Sequence, residues 1–235
     1  MKPPRHRPPQ YRHELKFYIN QGDYTLLSNR LRLTMELDPF ARQNGGAYFI
    51  RSLYFDDPLD TAFREKMRGN DVRDKVRLRT YNLQQDGAKL ECKHKKESYI
   101  YKQSLSLSRP ECDMLLAGEY RFLLERPEAF AHAMFRAFAT RHLRPVTLVD
   151  YTREAYVYPF QNCRVTFDKN LHTGYRDTRL FAPEVITYPV IEDYDMVMEV
   201  KFNQFLPAYI RELIQCGAHV RSAISKYCLC RKFEL

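Results

Sequence analysis

No apolar run in the 235-residue chain approaches the ~20 residues needed to span a bilayer, so no membrane helix is expected. The opening stretch, MKPPRHRPPQYRHE, is basic and proline-rich, with nothing apolar behind it. It reads neither as a signal peptide nor as an anchor, and residues 1–10 are expected to be a disordered basic arm. Six cysteines, at 92, 112, 163, 216, 228 and 230, include no Cys-x-x-Cys pair, and no histidine joins them at zinc spacing. They read as reduced, structural thiols. That places the protein in the cytoplasm, with a peripheral position at the inner face of the membrane as the alternative. The seven histidines form no Ser/His/Asp or Cys/His arrangement, so no side-chain nucleophile is evident. No linker, internal repeat or further low-complexity tract divides residues 11–235, which are expected to form a single domain.

What the chain does have is positive charge and aromatic rings. Its formal net charge is +9, its pI is near 9.2, and it carries 17 Tyr and 15 Phe. The basic excess favours an anionic partner: nucleic acid, a membrane surface, or phosphorylated small molecules and polymers.

Period-two alternation marks about eight strands, mostly in hairpin order. They are 12–19, 47–57, 74–82, 89–96, 98–108, 145–158, 163–171 and 194–202. Asp86-Gly87 reads as the hairpin turn between the third and fourth. Helices are expected over 21–36 and 56–69, the latter capped by Asp57, with Pro58 in its first turn and Gly69 at its end. Further helices are expected over 109–141 with a break near Pro127, from Leu206 to Gly217, and from Ser222–Ser225 onward. The class is α+β with an antiparallel sheet.

The strands share a peculiarity. Glu-x-Lys recurs in HELKF (13–17), LECKHK (90–95) and VMEVKF (197–202), and Arg77 and Arg79 share one strand face. A solvated outer face explains any single strand. For the set, Lys and Arg outnumber carboxylates about two to one, and Arg77 and Arg79 near Lys93 repel unless an anion lies among them. Closing about eight strands gives a barrel wide enough for a ligand. A barrel with charge inside and apolar residues outside is an anion-binding tunnel. His94 alternates to the apolar side and reads as structural.

The ordered set YRHELKF, IRSLYFDD, KVRLRTYN, LECKHKK, RPVTLVDYTREAY, CRVTFDKNL, VMEVKF and SAISKYCLC resembles the VTC domain. This is the polyphosphate polymerase domain of the vacuolar transporter chaperone complex and its bacterial relatives, within the triphosphate tunnel metalloenzyme (CYTH-like) superfamily. The resemblance spans residues 11–233. It implies an eight-stranded antiparallel β-barrel tunnel with a charged interior, covered by helices. By position it implies a phosphate-binding lining of Lys16, Arg77, Arg79, Lys93, Lys102, Arg153, Arg164, Lys201, Ser225 and Lys226. It implies Glu199 as the ligand of a Mn2+ or Mg2+ ion, with Glu14 as a possible sharer. Glu14 and Glu91 otherwise hold basic neighbours by salt bridges.

Two departures matter. CYTH hydrolases and cyclases open with Glu-x-Glu-x-Lys, whereas this chain has Arg12-x-Glu14-x-Lys16. That favours the polyphosphate branch and removes one carboxylate from a metal site. Eukaryotic members carry a basic residue where Ala223 stands here, with Arg221 two residues back. The chain shows neither the phosphate-sensing SPX domain nor the membrane segment of eukaryotic subunits, and so resembles a stand-alone bacterial type.

The implied activity is a metal-dependent polyphosphate polymerase moving the ATP γ-phosphate to a growing chain. The alternatives are a tripolyphosphatase of the same fold, a non-catalytic polyphosphate- or nucleotide-binding module, and a nucleic-acid binder. Expected partners are ATP, triphosphate or polyphosphate, no specific nucleic acid, and a separately encoded membrane protein as a further candidate.

Overall fold

The computed structural model describes residues 12–97, 99–191, 196–215 and 222–235. The expected arm at 1–10, the strand start at 194–195, Cys216, Gly217 and Arg221 lie outside them.

Eight strands run in one antiparallel path. They are β1 (His13–Ile19), β3 (Tyr48–Asp56), β4 (Val72–Tyr81), β5 (Gly87–Lys96), β6 (Tyr99–Ser108), β7 (Arg144–Tyr158), β8 (Cys163–Thr173) and β10 (Met196–Phe202). Their order is β1-β10-β8-β7-β3-β4-β5-β6. Two-residue strands β2 (Glu36–Leu37) and β9 (Tyr188–Pro189) pair on the side with β7 and β8. The path curls but does not close into a barrel with a continuous ladder. The end strands β1 and β6 approach each other, and the recorded link is one bridge, Arg12 to Ile100. No helix among the described residues is long and apolar enough to cross a membrane.

The outward face is apolar and helices cover it. Leu78, Leu90, Leu105 and Leu107 pack under α4 (Arg109–Leu116) and α5 (Ala129–Arg141) through Cys112, Leu115, Met134 and Phe138. Val165, Phe167, Met198 and Val200 pack under α1 (Gln21–Arg32) and α6 (Ala208–Leu213) through Leu27, Leu31 and Ile210. The third cluster is different. Ile50, Tyr54, Val149, Tyr151 and Leu171 pack with Tyr227, Cys228 and Cys230 of α7 (Lys226–Glu234), so α7 lies on the inward side of β3, β7 and β8.

Several expected boundaries move. α1 stops at Arg32 because Glu36 and Leu37 pair with β7. Asp57 is not the cap residue of α3 (Thr61–Met67): Asp60 takes that place in a left-handed conformation. Asp57 Oδ1 still accepts from the amides of Leu59 and Thr61, while Pro58 sits in the preceding turn. Gly69 follows the helix at φ +80°, as a C-terminal glycine should. The helical stretch after β6 breaks early, at Leu116, resumes as a 3-10 turn at Arg121–Leu124, and becomes α5 only after Pro127. α2 (Pro39–Gln43), a short helix capped by Asp38, was not anticipated.

Gly87 is not a turn residue. It begins β5, where a Cβ would stand 2.2 Å from the Leu107 carbonyl oxygen on β6, so glycine is required for the close approach of the two strands. The five described cysteines are free thiols.

Candidate functional site

Alternation fixes what the sheet encloses, because every second side chain points inward. Cross-strand register then sets the inward residues opposite one another. Glu14 pairs with Lys201 and Lys16 with Glu199. Arg153 pairs with Asp168, Arg77 with Glu91 and Lys75 with Lys93, and Lys93 with Lys102. The cavity inside the curled sheet measures about 1530 Å³.

Fifteen Lys and Arg side chains and four carboxylates line it. Glu91 and Asp168 stand just behind, bonded to Arg77 and Arg153. The cavity therefore carries an excess of nine positive charges, equal to the formal net charge of the whole chain, so the remainder is balanced.

Four carboxylate hubs organise the cations. Glu199 touches Lys226 at 2.7 Å, Lys201 at 2.8 Å, Lys16 at 3.3 Å and Arg153 at 3.8 Å. Glu14 touches Lys93 at 2.6 Å, Lys201 at 3.5 Å and Lys16 at 3.8 Å. Glu91 touches Arg77 and Lys102, both at 2.7 Å, and Arg79 at 3.7 Å. Asp168 binds Arg153 through two bonds of 2.6 and 2.7 Å and Lys226 at 2.5 Å. Burial alone would raise the pKa of Glu14, Glu91 and Glu199. The surrounding ammonium and guanidinium groups overcome it and hold all three below the usual carboxylate range.

The reverse holds where cations crowd without enough carboxylate. Burial, reinforced by neighbouring Lys16, pushes Lys75 and Lys93 down to about 8. Lys75 Nζ lies 2.6 Å from Ser225 Oγ and beside the Tyr227 ring. Ser225 caps α7, accepting from the Cys228 amide, and Lys226 follows it. The first turn of that helix thus faces the cavity, with its amide dipoles favouring negative charge.

Every residue that the resemblance placed in the phosphate lining borders this cavity: Lys16, Arg77, Arg79, Lys93, Lys102, Arg153, Arg164, Lys201, Ser225 and Lys226. Glu14 and Glu199 border it too, and Glu91 supports it from behind. Arg164 is held by Asp38 and Tyr48 at the α2 end. Sequence reasoning missed Lys66, Arg73, Lys75, Lys89 and Lys95, and the rings of Tyr48, Tyr54, Tyr81 and Tyr151. Alternation alone carried Lys75, Lys89 and Lys95, which share faces with Arg77 and Lys93. Lys66, on α3, left no local signal.

Polar capacity remains for a ligand. Arg164 Nε and Thr166 Oγ1 are buried without a partner, and Thr166 is the cross-strand neighbour of Glu199. An ionised Glu199 beside an unengaged hydroxyl is a hard-oxygen donor set. That fits a divalent cation held jointly with phosphate oxygens, the usual manner for Mg2+.

A sequence family described as the VTC domain matches residues 11–234. Solved structures that share the fold include the following two. One is a Hippeastrum adenylyl cyclase candidate described as having a dominant triphosphatase activity. It is 13% identical, covers 96% of this chain and 97% of its own, and gives a TM-score of 0.54. The other is a Bacillus halodurans protein described as a candidate adenylate cyclase. It is also 13% identical, covers 83% and 82%, and gives a TM-score of 0.51. No curated protein matches.

Proposed function

Because the chain belongs to the VTC domain family, we propose that its tunnel binds the phosphate groups of ATP and of linear polyphosphate, and transfers the γ-phosphoryl group of ATP to the end of the growing chain. The observation that carries this reading is the gathering of fifteen Lys and Arg side chains around one cavity inside the curled sheet. A duplex-binding protein would instead present its cations on an exposed stripe.

Phosphoryl transfer needs in-line positioning and neutralised oxygens more than covalent chemistry. Arg77, Arg79, Arg153 and Arg164 offer forks that match phosphate oxygens, and Lys16, Lys93, Lys102, Lys201 and Lys226 offer point charges. The acceptor is itself a phosphate oxyanion, so no serine, cysteine or histidine nucleophile is needed. Ser225 and the α7 amides would receive a terminal phosphate. Tunnel metalloenzymes imply a divalent metal, which we assign to Glu199, with Glu14 as the candidate second carboxylate. Mn2+ or Mg2+ would supply charge neutralisation on bridging phosphate oxygens. Glu91 positions Arg77, Arg79 and Lys102.

Incubation with ATP and Mn2+, with products resolved by length, tests the reading. Chains longer than three phosphates are expected. Orthophosphate alone from tripolyphosphate would replace polymerase by triphosphatase, the activity described for the Hippeastrum neighbour. Binding without turnover would reduce the protein to a polyphosphate-binding module.

A further inference from the structure

On the outward face of the sheet, behind the tunnel wall, three ligand-type side chains meet. Asp74 on β4 and His94 on β5 are cross-strand partners, and Cys92, two residues before His94, shares its face. His94 Nδ1 stands 2.6 Å from Asp74 Oδ1 and 3.9 Å from Cys92 Sγ. One ligand atom from each residue lies within 4.8 Å of the other two, the only such group of three among the described residues. The His94 ring is fixed by stacking on Tyr101, with centroids 5.8 Å apart. Cys92 is rooted in the apolar core, whereas the Asp74 and His94 side chains are 39% and 32% exposed, which leaves an entry path from water.

Two ordinary readings fall short. A Cys-His-Asp relay needs the thiol and the carboxylate on different ring nitrogens. Here both approach Nδ1, and Nε2 has no partner. A surface Asp-His pair accounts for two groups and leaves the thiol unexplained. Convergence of three lone pairs on one point is what a cation requires.

We propose that Asp74, Cys92 and His94 form a site for a borderline-soft divalent transition metal, Zn2+ foremost, separate from the tunnel. Thiolate and imidazole select such an ion over Mg2+, which prefers oxygen. Three protein ligands leave a fourth position for water. Ligands around a tetrahedral ion with bonds of about 2.0–2.3 Å sit farther apart than the Asp74–His94 contact, so the half-exposed Asp74 carboxylate swings outward as the ion replaces the shared proton. The ion would pin β4 to β5, the strands whose inward sides present Lys75, Arg77 and Lys93.

The test is titration of the reduced full chain with Co2+, read by optical absorption. A thiolate-to-cobalt charge-transfer band that saturates stoichiometrically and is bleached by Zn2+ is expected. Cys92→Ser should remove it. Asp74→Asn and His94→Gln should each weaken binding about tenfold or more, while Glu199→Gln, on the opposite face, should leave the band unchanged. A missing band in the native chain, or one surviving Cys92→Ser, overturns the site. Because Cys92→Ser disturbs the core, the two solvent-reachable variants decide independently: native affinity in both also overturns it.

Discussion

Glu91 is buried beneath three cations that it alone balances at close range. Glu91→Gln leaves Arg77 and Arg79 uncompensated in a confined space. The loss should be about 3–5 kcal/mol, the usual cost of breaking a buried ion pair from one side. Denaturant unfolding measures it, and tripolyphosphate should restore part of the loss by supplying the missing anion. Glu199→Gln probes a different quantity: metal-dependent turnover should fall about 100-fold or more, measured as product formed across a Mn2+ titration. Unchanged turnover would remove Glu199 from the metal. Lys75 and Lys93 give a pH signature. Their folded-state values near 8 lie below the ordinary 10.5, so between these limits the unfolded chain holds more protons, and this pair makes stability rise with pH there. Anion binding runs the other way: it restores their charge. Tripolyphosphate affinity should therefore weaken as pH climbs through about 8, with net proton uptake in calorimetry across buffers of different ionisation enthalpy.

At the scale of elements, Gly87→Ala is the sharpest probe. A methyl 2.2 Å from the Leu107 carbonyl must part β5 from β6, and a loss of about 2 kcal/mol or more is expected in thermal or urea unfolding. The sequence pointed to this glycine for a wrong reason. An Asp-Gly pair between two alternating runs signals a hairpin turn, and nothing local reveals that the facing strand passes so close. The strands themselves, and which residues face inward, were legible because alternation is a property of a single segment. Cross-strand register was not, since it depends on partners far apart in sequence. For that reason the sharing of Lys16 and Lys201 by Glu14 and Glu199 emerged only in the assembled sheet. α7 was legible as a helix, but its place on the inward side was hidden. The contacts that seat it are tertiary: Tyr227 stacks on Tyr54 at 5.0 Å and donates to Asp56 at 2.5 Å. Tyr227→Phe removes that bond to a buried carboxylate and should cost about 1.5–3 kcal/mol, while weakening tripolyphosphate binding by loosening Ser225 and Lys226.

For the whole molecule, charge separation is the governing feature. An excess of nine positive charges around the cavity opposes the folded state when no anion is present. Polyanions that bind the native fold should raise its melting temperature with the logarithm of ligand excess over Kd, and added salt should diminish that shift through screening. A melting temperature indifferent to tripolyphosphate would contradict an anion-binding interior. The hubs of Glu14, Glu91, Glu199 and Asp168 have a further consequence. Each cation cluster already holds a resident counter-ion tethered to the wall, so an incoming anion must compete with a carboxylate that costs almost no translational entropy to retain. A monovalent ion displaces one such contact and gains little. A linear polyanion engages several clusters at once through one backbone. On the proposed function, the cavity would work as a valence filter, favouring chains whose charges are linked over chloride or acetate.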